Sequence, residues 1–221
     1  MAIEFGASPS NLIEKSELAA WAKIPTPIIG DELNRTGLLA SRIRPLSPNF
    51  SCAGQALTVD CMVGDNSALH FALREIWDGA IIIADGRAHT ETAIWGEILH
   101  TCAIHQGAGG VIVDGAMRDS DVLRESQLPA YCAGISPRGP HKGFGGSINK
   151  LIQCGGVPVT PGDLVVADQD GIAIIRPDQM DGLMDRCQKR IDAEARTLKR
   201  IAAGETTINI LNFPPAESIG G

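Results

Sequence analysis

The sequence predicts one α/β domain built around a mixed β-sheet. Two strand–helix–strand passes run through residues 80–133, and such passes pair their strands in parallel through right-handed crossovers. From residue 147 onward, short β-rich runs broken by Gly, Pro and Asp are typical of antiparallel hairpins. The 221 residues are 44% hydrophobic but only 4% aromatic, so we expect a large core of Ala, Val, Ile and Leu.

Apolar spacing places the elements of the first half in order. A helical period indicates helices at residues 10–22, 28–37, 66–76, 94–105 and 120–125. Alternating or continuous apolar runs indicate strands at residues 56–63, 80–84, 111–113 and 130–133. Gly37 stands where a glycine commonly follows the end of a helix.

The second half is β-rich and ends in a helix. Hairpin strands are expected at residues 148–153, 157–159, 164–167 and 172–175. A long amphipathic helix at about residues 178–203 follows, and then a tail rich in Pro and Gly. Asp163, Asp168 and Asp170 form an acidic cluster, but the spacing of a twelve-residue calcium loop is absent. We therefore expect Asp170 and Gly171 to form a hairpin turn.

Charge and composition exclude several classes of function. The formal net charge is −7 and no Lys/Arg-rich run occurs, which argues against a nucleic-acid-binding surface. No apolar run approaches the length of a transmembrane helix, and the N-terminus lacks the pattern of a secretory signal. The six cysteines contain no CxxC pair, which favours reduced thiols over a zinc site. We expect a cytoplasmic protein whose partners are neither nucleic acids nor membranes.

The stretch GVIVDGAMRD, residues 110–119, carries the most chemical information. A β-branched run ends there at Asp114 and Gly115, and Arg118 stands beside Asp119. Strand ends are where α/β folds bind ligands, and a loop glycine lets the backbone approach a ligand closely. A guanidinium next to a carboxylate can hold an anionic substrate and a divalent cation side by side. The pattern therefore predicts metal-assisted chemistry on a small organic acid.

Each of these side chains also has a structural alternative. Asp119 occupies the N-cap position of the helix expected at 120–125, and Arg118 could be a solvated surface residue. Asp114 could simply close a turn with the glycine that follows it, and this is the interpretation we favour. Glu97 lies at the start of a predicted helix, where the helix dipole favours a carboxylate.

Other candidate sites are weaker. The GAGG stretch at residues 107–110 precedes a strand instead of linking a strand to a helix, which argues against a dinucleotide loop. The loop at residues 137–146 is basic and glycine-rich, and it could be an anion-binding lid or an ordinary surface loop. His100 and His105 could be metal ligands, but their spacing of five on one helix points them to different faces.

Three ordered segments carry a resemblance to a known family. They are WGEIL at 95–99, GVIVDGAMRD at 110–119 and PGDLVVADQDG at 161–171; residues 38–45 and 64–66 fit as well. Over roughly residues 25–205 the chain resembles the RraA-like family, which includes 4-hydroxy-4-methyl-2-oxoglutarate (HMG) and 4-carboxy-4-hydroxy-2-oxoadipate (CHA) aldolases. The resemblance implies a single α/β sandwich domain with a barrel-like mixed sheet, and homotrimers or homohexamers with active sites between subunits.

The resemblance also implies a site. The aldolases of the family carry a carboxylate, then twenty residues, then Arg-Asp, and here these positions are Glu97 and Arg118–Asp119. The usual residue at the first position is aspartate, and glutamate is one methylene longer. By resemblance Asp119 holds Mg²⁺ or Mn²⁺, Arg118 binds the oxygens of a 2-keto acid, and Glu194 of a neighbouring subunit contacts metal-bound water. The substrate carboxylate would be held by the backbone of Gly96, Glu97, Ile98 and Leu99.

The function that the resemblance implies is a metal-dependent (class II type) aldolase. It would cleave a 4-hydroxy-2-oxo di- or tricarboxylate to pyruvate and a second keto acid, with oxaloacetate decarboxylation as a side activity. No lysine stands in a convincing Schiff-base environment, so a metal is the expected electron sink. Two alternatives stay open: a non-catalytic regulator of ribonuclease activity, and a related lyase that acts on another 2-keto acid. The founding regulator of the family lacks the complete acidic signature. This chain retains Arg118–Asp119 and a carboxylate at position 97, which favours an enzyme over a regulator.

Overall fold

The computed structural model describes residues 2–215 as alternating strands and helices on a mixed sheet. The strands are β1 (Ala2–Phe5), β2 (Arg44–Pro45), β3 (Cys52–Cys61), β4 (Ile81–Trp95), β5 (Gly110–Met117), β6 (Ala130–Ile135), β7 (Gly145–Ile148), β8 (Ile152–Cys154), β9 (Val157–Val159), β10 (Leu164–Ala167) and β11 (Ile172–Ile175). The helices are α1 (Lys15–Trp21), α2 (Thr26–Glu32), α3 (Ser67–Ala72), α4 (Glu97–His105), α5 (Ser120–Glu125), α6 (Leu183–Ala202) and α7 (Thr207–Ile210), with a 3₁₀ turn at Pro177–Gln179.

The main sheet is mixed and branched. Its strand order is β1-β7-β3-β4-β5-β6-β2, and β10 and β11 extend from β3. Strands β3 to β6 run in parallel, which confirms the two predicted crossover passes. The hairpins β8–β9 and β10–β11 are antiparallel, also as predicted. The α/β fold with a large mixed sheet is confirmed, although within residues 2–215 the sheet is open and does not close into a barrel.

Aliphatic side chains fill the core on both sides of the sheet. Residues 81–84 of β4 (IIIA) are completely buried, as expected for a central parallel strand that is covered on both faces. A second, smaller cluster joins α1, α2 and α6 to β10 and β11, and Trp21, Ile29 and Leu183 are among its members. Within residues 2–215, no helix has both the length and the apolar character that crossing a membrane requires.

Strands β4 and β5 continue beyond their predicted ends. Register shifts let them stay paired after the Asp85–Asp114 pair, so β4 runs to Trp95 and β5 to Met117. The helix expected at 94–105 therefore begins only at Glu97. Polar residues dominate the second half of β4, and this pattern resembles a loop in sequence.

Asp114 is not a turn residue, so that prediction is wrong. It lies within β5, and its buried carboxylate accepts hydrogen bonds from Arg42 Nε at 2.9 Å and Arg42 Nη2 at 2.6 Å. The backbone N–H of Gly155 donates a third bond at 2.9 Å. A bidentate guanidinium with a further N–H satisfies a carboxylate that burial would otherwise destabilise. Asp114 thus joins β5 to two distant loops.

Several boundaries differ from the predictions. The helices expected at 10–22, 28–37 and 66–76 are shorter, and the run at 148–153 divides between β7 and β8. Gly37 lies beyond the end of α2 and is not its C-cap. Its φ is +71°, and a Cβ there would lie 2.4 Å from the carbonyl oxygen of Ile174. The close approach of these two backbone segments therefore requires glycine. The C-terminal helix starts with the 3₁₀ turn before α6.

Candidate functional site

The carboxyl ends of β4 and β5 position the candidate site. Trp95 and Met117 are partners in the parallel ladder, so the segments that follow them run side by side. Gly96 and α4 follow β4, whereas Arg118 and Asp119 follow β5 and precede α5. The N–H of Arg118 donates to the carbonyl of Trp95 at 2.9 Å, which fixes the two segments together. Two of the sequence motifs thus meet at one edge of the sheet, where α/β folds bind ligands.

Asp119 turns its carboxylate toward α4. Its φ of +55° is left-handed, and its side chain makes no capping hydrogen bond to α5. Instead Oδ2 accepts from the backbone N–H of Glu97 at 3.0 Å and lies 3.5 Å from Nε of Arg118. The alternative that Asp119 caps its own helix is therefore wrong. Left-handed backbone at a non-glycine residue is a strained conformation of the kind that occurs at functional sites.

Gly96 makes room for this arrangement. A Cβ at Gly96 would lie 2.6 Å from Oδ2 of Asp119 and 2.9 Å from Cγ of Arg118. Its φ of −169° is ordinary extended backbone, so space and not conformation is what requires glycine here. The absence of a side chain lets the Arg-Asp pair lie directly against the N-terminus of α4.

A small cleft opens beside Arg118. Its lining includes Gly96, Ile98, Leu99 and Arg118. The first N–H groups of a helix have no intrahelical acceptor, so the start of α4 offers donors and the positive end of a helix dipole. The guanidinium of Arg118 adds a full positive charge, and its side chain is 39% exposed. Together these groups give this side of the cleft a positive electrostatic character.

Other walls of the cleft come from segments that the predicted site did not include. Asn66, the residue before α3, and His70 of α3 form one wall, and Pro140 and Lys142 line the cleft from the loop at 137–146. The sequence signals were the GDN stretch at 64–66 and the basic character of that loop. Neither signal by itself indicated that the two segments meet.

The carboxylate of Asp65 holds that loop in place. Its Oδ2 accepts from the N–H groups of Gly143 at 2.7 Å and Phe144 at 3.1 Å, and Oδ1 accepts from the N–H of Ser67. Burial raises the pKa of Asp65, but these hydrogen bonds outweigh that effect and lower it below the usual value. The loop is therefore an anchored wall of the cleft and not an independent surface loop.

The donor set fits a weakly held divalent cation. Within residues 2–215, no group of three or more His, Cys, Asp or Glu side chains is arranged to enclose a metal. Asp119 is 37% exposed, and in the described chain its Oδ1 accepts no hydrogen bond. Mg²⁺ keeps several waters and commonly binds through one or two carboxylates plus its substrate. Asp119 suits such a cation, whereas a cage made entirely of protein ligands does not match this site.

Glu97 and Glu194 were also predicted as site residues, but the side chain of neither contacts Asp119 within the described chain. The backbone of Glu97 is part of the site, but its side chain is exposed and makes no ion pair or hydrogen bond within residues 2–215. Glu194 is exposed on α6, which packs against α2 through pairs such as Arg190 and Glu32 at 2.6 Å. The chain by itself does not bring Glu194 to Asp119, so its role stays a prediction about a neighbouring subunit.

His100 is a structural residue of the site. Its Nδ1 accepts from the indole N–H of Trp95 at 3.3 Å, and its Nε2 lies 2.8 Å from Oγ of Ser126. Because an indole can only donate, Nδ1 is the acceptor and Nε2 carries the proton that it donates to Ser126. His100 thus connects α4 to the end of β4 and to the segment after α5. Neither of its nitrogens is available as a metal ligand.

Acidification should weaken the fold through His100. Burial lowers the pKa of His100 from 6.5 to about 4. The unfolded chain therefore binds this proton at higher pH than the folded chain, and stability is lost as pH falls from about 6.5 toward 4. Urea unfolding at pH 7 and pH 4.5 measures this loss. Between the two pH values the free energy of unfolding should fall less in His100→Gln than in the wild type. His105→Gln, on the exposed part of α4, should lose as much as the wild type. Equal losses in wild type and His100→Gln would contradict this role.

The fold and the cleft define an α/β protein with a cleft at the carboxyl edge of its sheet, lined by an arginine and a helix N-terminus. The chain belongs to the RraA-like family: the model of that family, described as Aldolase/RraA, matches residues 26–174. The chain is 37% identical over 180 residues to a Halalkalibacterium halodurans protein provisionally named 4-hydroxy-4-methyl-2-oxoglutarate aldolase. That match covers 81% of this chain and 86% of the relative.

Solved structures of family members share the fold. The crystal structure of Streptomyces coelicolor RraAS2, described as an unusual member of the RNase ES inhibitor RraA family, superposes with a TM-score of 0.78 at 23% identity. It covers 85% of this chain and 98% of that one. The RNA-processing inhibitor RraA from Thermus thermophilis gives a TM-score of 0.63 at 27% identity, and covers 68% of this chain and 92% of that one. The family therefore contains proteins named as aldolases and proteins named as inhibitors.

Proposed function

We propose that the protein is a divalent-metal-dependent carbon–carbon lyase that cleaves a 4-hydroxy-2-oxo di- or tricarboxylate to pyruvate and a second keto acid. The observation that carries the proposal is the meeting of three groups at one edge of the sheet. The guanidinium of Arg118 and the N-terminus of α4 line the cleft, and the carboxylate of Asp119 lies beside them, where it accepts from the N–H of Glu97 and lies 3.5 Å from Nε of Arg118. The name of the Halalkalibacterium relative supports the same reaction class.

Asp119 is the residue that would hold Mg²⁺ or Mn²⁺. When bound, the cation supplies Lewis-acid polarisation of a carbonyl at C2 of the substrate. Asp119 itself is kept in place by the N–H of Glu97, so its position does not depend on a ligand.

The remaining groups bind and activate the substrate. The N–H groups of Ile98 and Leu99 receive the C1 carboxylate at the start of α4. Arg118 donates to the C2 oxygen, where negative charge grows as the C3–C4 bond breaks and its electrons form the pyruvate enolate. The hydroxyl proton on C4 leaves at the same time, and C4 becomes a carbonyl. A proton then returns to C3 and completes pyruvate.

Glu97 is the carboxylate that we propose holds the water that accepts the hydroxyl proton. Its side chain is exposed, and its backbone N–H donates to Asp119. A glutamate reaches one methylene further than an aspartate, so the water would lie further from the helix. Loss of CO₂ from oxaloacetate produces the same enolate, and we expect that reaction as a side activity.

A neighbouring copy of the chain would complete the site. The C-terminal region carries large apolar side chains that the described chain leaves exposed: Leu198, Ile201, Ile208, Leu211 and Phe213. Large exposed apolar side chains grouped in one region support the proposal of an interaction surface. We propose a homotrimer or homohexamer in which α6 of one subunit brings Glu194 to the site of the next.

The proposal is tested by pyruvate release coupled to lactate dehydrogenase. With 4-hydroxy-4-methyl-2-oxoglutarate as substrate and Mg²⁺ or Mn²⁺ present, NADH oxidation should follow protein concentration. EDTA should abolish it, and excess Mg²⁺ should restore it. If no 4-hydroxy-2-oxo acid yields pyruvate with either cation, the lyase proposal fails and the inhibitor function named for other family members becomes the better account.

Gly96→Ala should impair this activity more than it impairs the fold. The new Cβ would displace Asp119 and Arg118, and misplacing reacting groups by about 1 Å can cost about 10²-fold in rate. Because alanine adopts the observed φ without strain, the free energy of unfolding should change by only about 1 kcal/mol. Steady-state kinetics and urea unfolding measure the two effects. A variant with wild-type kcat/KM would show that the close packing around Gly96 is not needed.

A further inference from the structure

Two buried polar atoms in the cleft have no partner. Within the described chain, Oδ1 of Asn66 and Nε2 of His70 are buried and make no hydrogen bond. Asn66 is only 5% exposed, and both residues line the cleft. Buried polar groups are nearly always hydrogen-bonded, and an exception calls for an explanation. A bound ligand that supplies the missing partners is such an explanation.

The two atoms belong to one wall. Asn66 is the residue before α3, and the N–H of His70 donates to the carbonyl of Asn66 at 3.2 Å. Residues four apart lie on one face of a helix, so both side chains can reach the same ligand. Arg118 and the start of α4 line the cleft from the ends of β5 and β4. The cleft therefore has a second polar wall besides the one assigned to the keto acid.

Lys142 adds a positive charge to this second wall. The loop that carries it is held by reciprocal backbone bonds, from the N–H of Asn66 to the carbonyl of His141 at 3.1 Å and from the N–H of His141 to the carbonyl of Gly64 at 2.8 Å. Burial and then the nearby charge of Lys142 lower the pKa of His70, so His70 is neutral at pH 7. A neutral imidazole nitrogen can donate or accept, and an amide oxygen accepts.

Given the proposed function, we infer that Asn66, His70 and Lys142 form a subsite that recognises the distal end of the substrate. Lys142 pairs with a second carboxylate, and Asn66 and His70 bind the hydroxyl group on C4. Before the reaction the hydroxyl donates to the orphaned oxygen of Asn66, and it turns toward the water held by Glu97 to lose its proton. A distal carboxylate neutralises a cation that lines the same cleft. The subsite therefore selects 4-hydroxy-2-oxo acids that carry a second carboxylate over monocarboxylates of the same length.

Binding of unreactive analogues tests the charge in this subsite. 2-Oxoglutarate and 2-oxopentanoate share a five-carbon chain, and only the first has a distal carboxylate; oxalate has no distal end. In calorimetry with Mg²⁺, wild type should bind 2-oxoglutarate about tenfold more tightly than 2-oxopentanoate. Lys142→Met should abolish that preference and leave oxalate affinity unchanged. Lys189→Met, on the exposed surface of α6, should behave like wild type.

Kinetics test the hydroxyl-binding pair. Oxaloacetate lacks the C4 hydroxyl, so Asn66→Ala should reduce kcat/KM for 4-hydroxy-4-methyl-2-oxoglutarate about tenfold more than it reduces oxaloacetate decarboxylation. Circular dichroism checks that the variant is folded. Equal losses on both substrates would overturn the assignment of Asn66.

The subsite and the reaction can fail separately. If no pyruvate is released but wild type still prefers 2-oxoglutarate and Lys142→Met loses that preference, the subsite stands and the lyase proposal fails. If pyruvate is released but wild type binds both five-carbon acids equally, or binds neither, the subsite is wrong. A Lys142→Met variant that weakens oxalate as much as 2-oxoglutarate would also overturn it, because the side chain would then act on the whole cleft.

Discussion

Arg118→Ala is expected to lower metal-dependent pyruvate release by about 10²–10³-fold in kcat. A fixed donor aimed at an oxygen that gains charge typically contributes roughly 2.7–4 kcal/mol to lowering the barrier. The side chain of Arg118 is 39% exposed, and its ion-pair partner in the described chain is the neighbouring Asp119. The free energy of unfolding should therefore change little. Steady-state kinetics with 4-hydroxy-4-methyl-2-oxoglutarate and urea unfolding measure the two quantities.

Two variants serve as controls for Arg118. Arg118→Lys keeps the charge but loses the planar fork of donors, so it should recover only part of the activity. Arg124→Ala removes an exposed arginine of α5 that pairs with Asp121, and it should retain wild-type turnover. Turnover close to wild type in Arg118→Ala would show that this guanidinium does not stabilise the reaction.

Asp119→Ala should nearly abolish the metal-dependent reaction. It removes the carboxylate that suits the cation, and it leaves the N–H of Glu97 without its acceptor. Asp119→Asn separates these effects, because asparagine can still accept that hydrogen bond and tolerates the left-handed φ of +55°, but it is neutral. We expect Asp119→Asn to fold like wild type and to lose activity by about 10³-fold.

The neighbouring Asp121 provides a matched control for charge. It lies in the first turn of α5 and is 93% exposed. Asp121→Asn should therefore keep wild-type activity and the same dependence on Mg²⁺. If Asp119→Asn remained as active as Asp121→Asn, the carboxylate of Asp119 could not be the metal ligand.

Local sequence patterns predicted the central part of the fold and the motif of the site. The apolar runs at the starts of β4, β5 and β6 are governed by burial in a parallel sheet, so their pairing could be predicted. The helix at Ser120–Glu125 was predicted with its observed bounds. The proximity of Gly96 to the Arg-Asp pair was not predicted from these patterns, because the strand was expected to end at residue 84 and Gly96 to lie inside a helix, whereas β4 continues to Trp95.

The errors concern contacts that sequence order does not encode. Asp114 has a neighbouring glycine and so resembled a turn, yet its partner is Arg42, 72 residues away. Asp119 occupies the N-cap position of α5 but caps α4, because its left-handed backbone turns the side chain away. Only the tertiary fold brings His70 and Lys142 into one cleft.

The central claim is that Asp119 serves the metal and Arg118 serves the substrate. Electron paramagnetic resonance of Mn²⁺, with and without pyruvate, tests this division directly. Arg118→Ala should bind Mn²⁺ as wild type does, but pyruvate should no longer tighten the binding. Asp119→Asn should bind Mn²⁺ much more weakly under both conditions. Wild-type Mn²⁺ affinity in Asp119→Asn, or loss of Mn²⁺ binding in Arg118→Ala, would contradict the assignment.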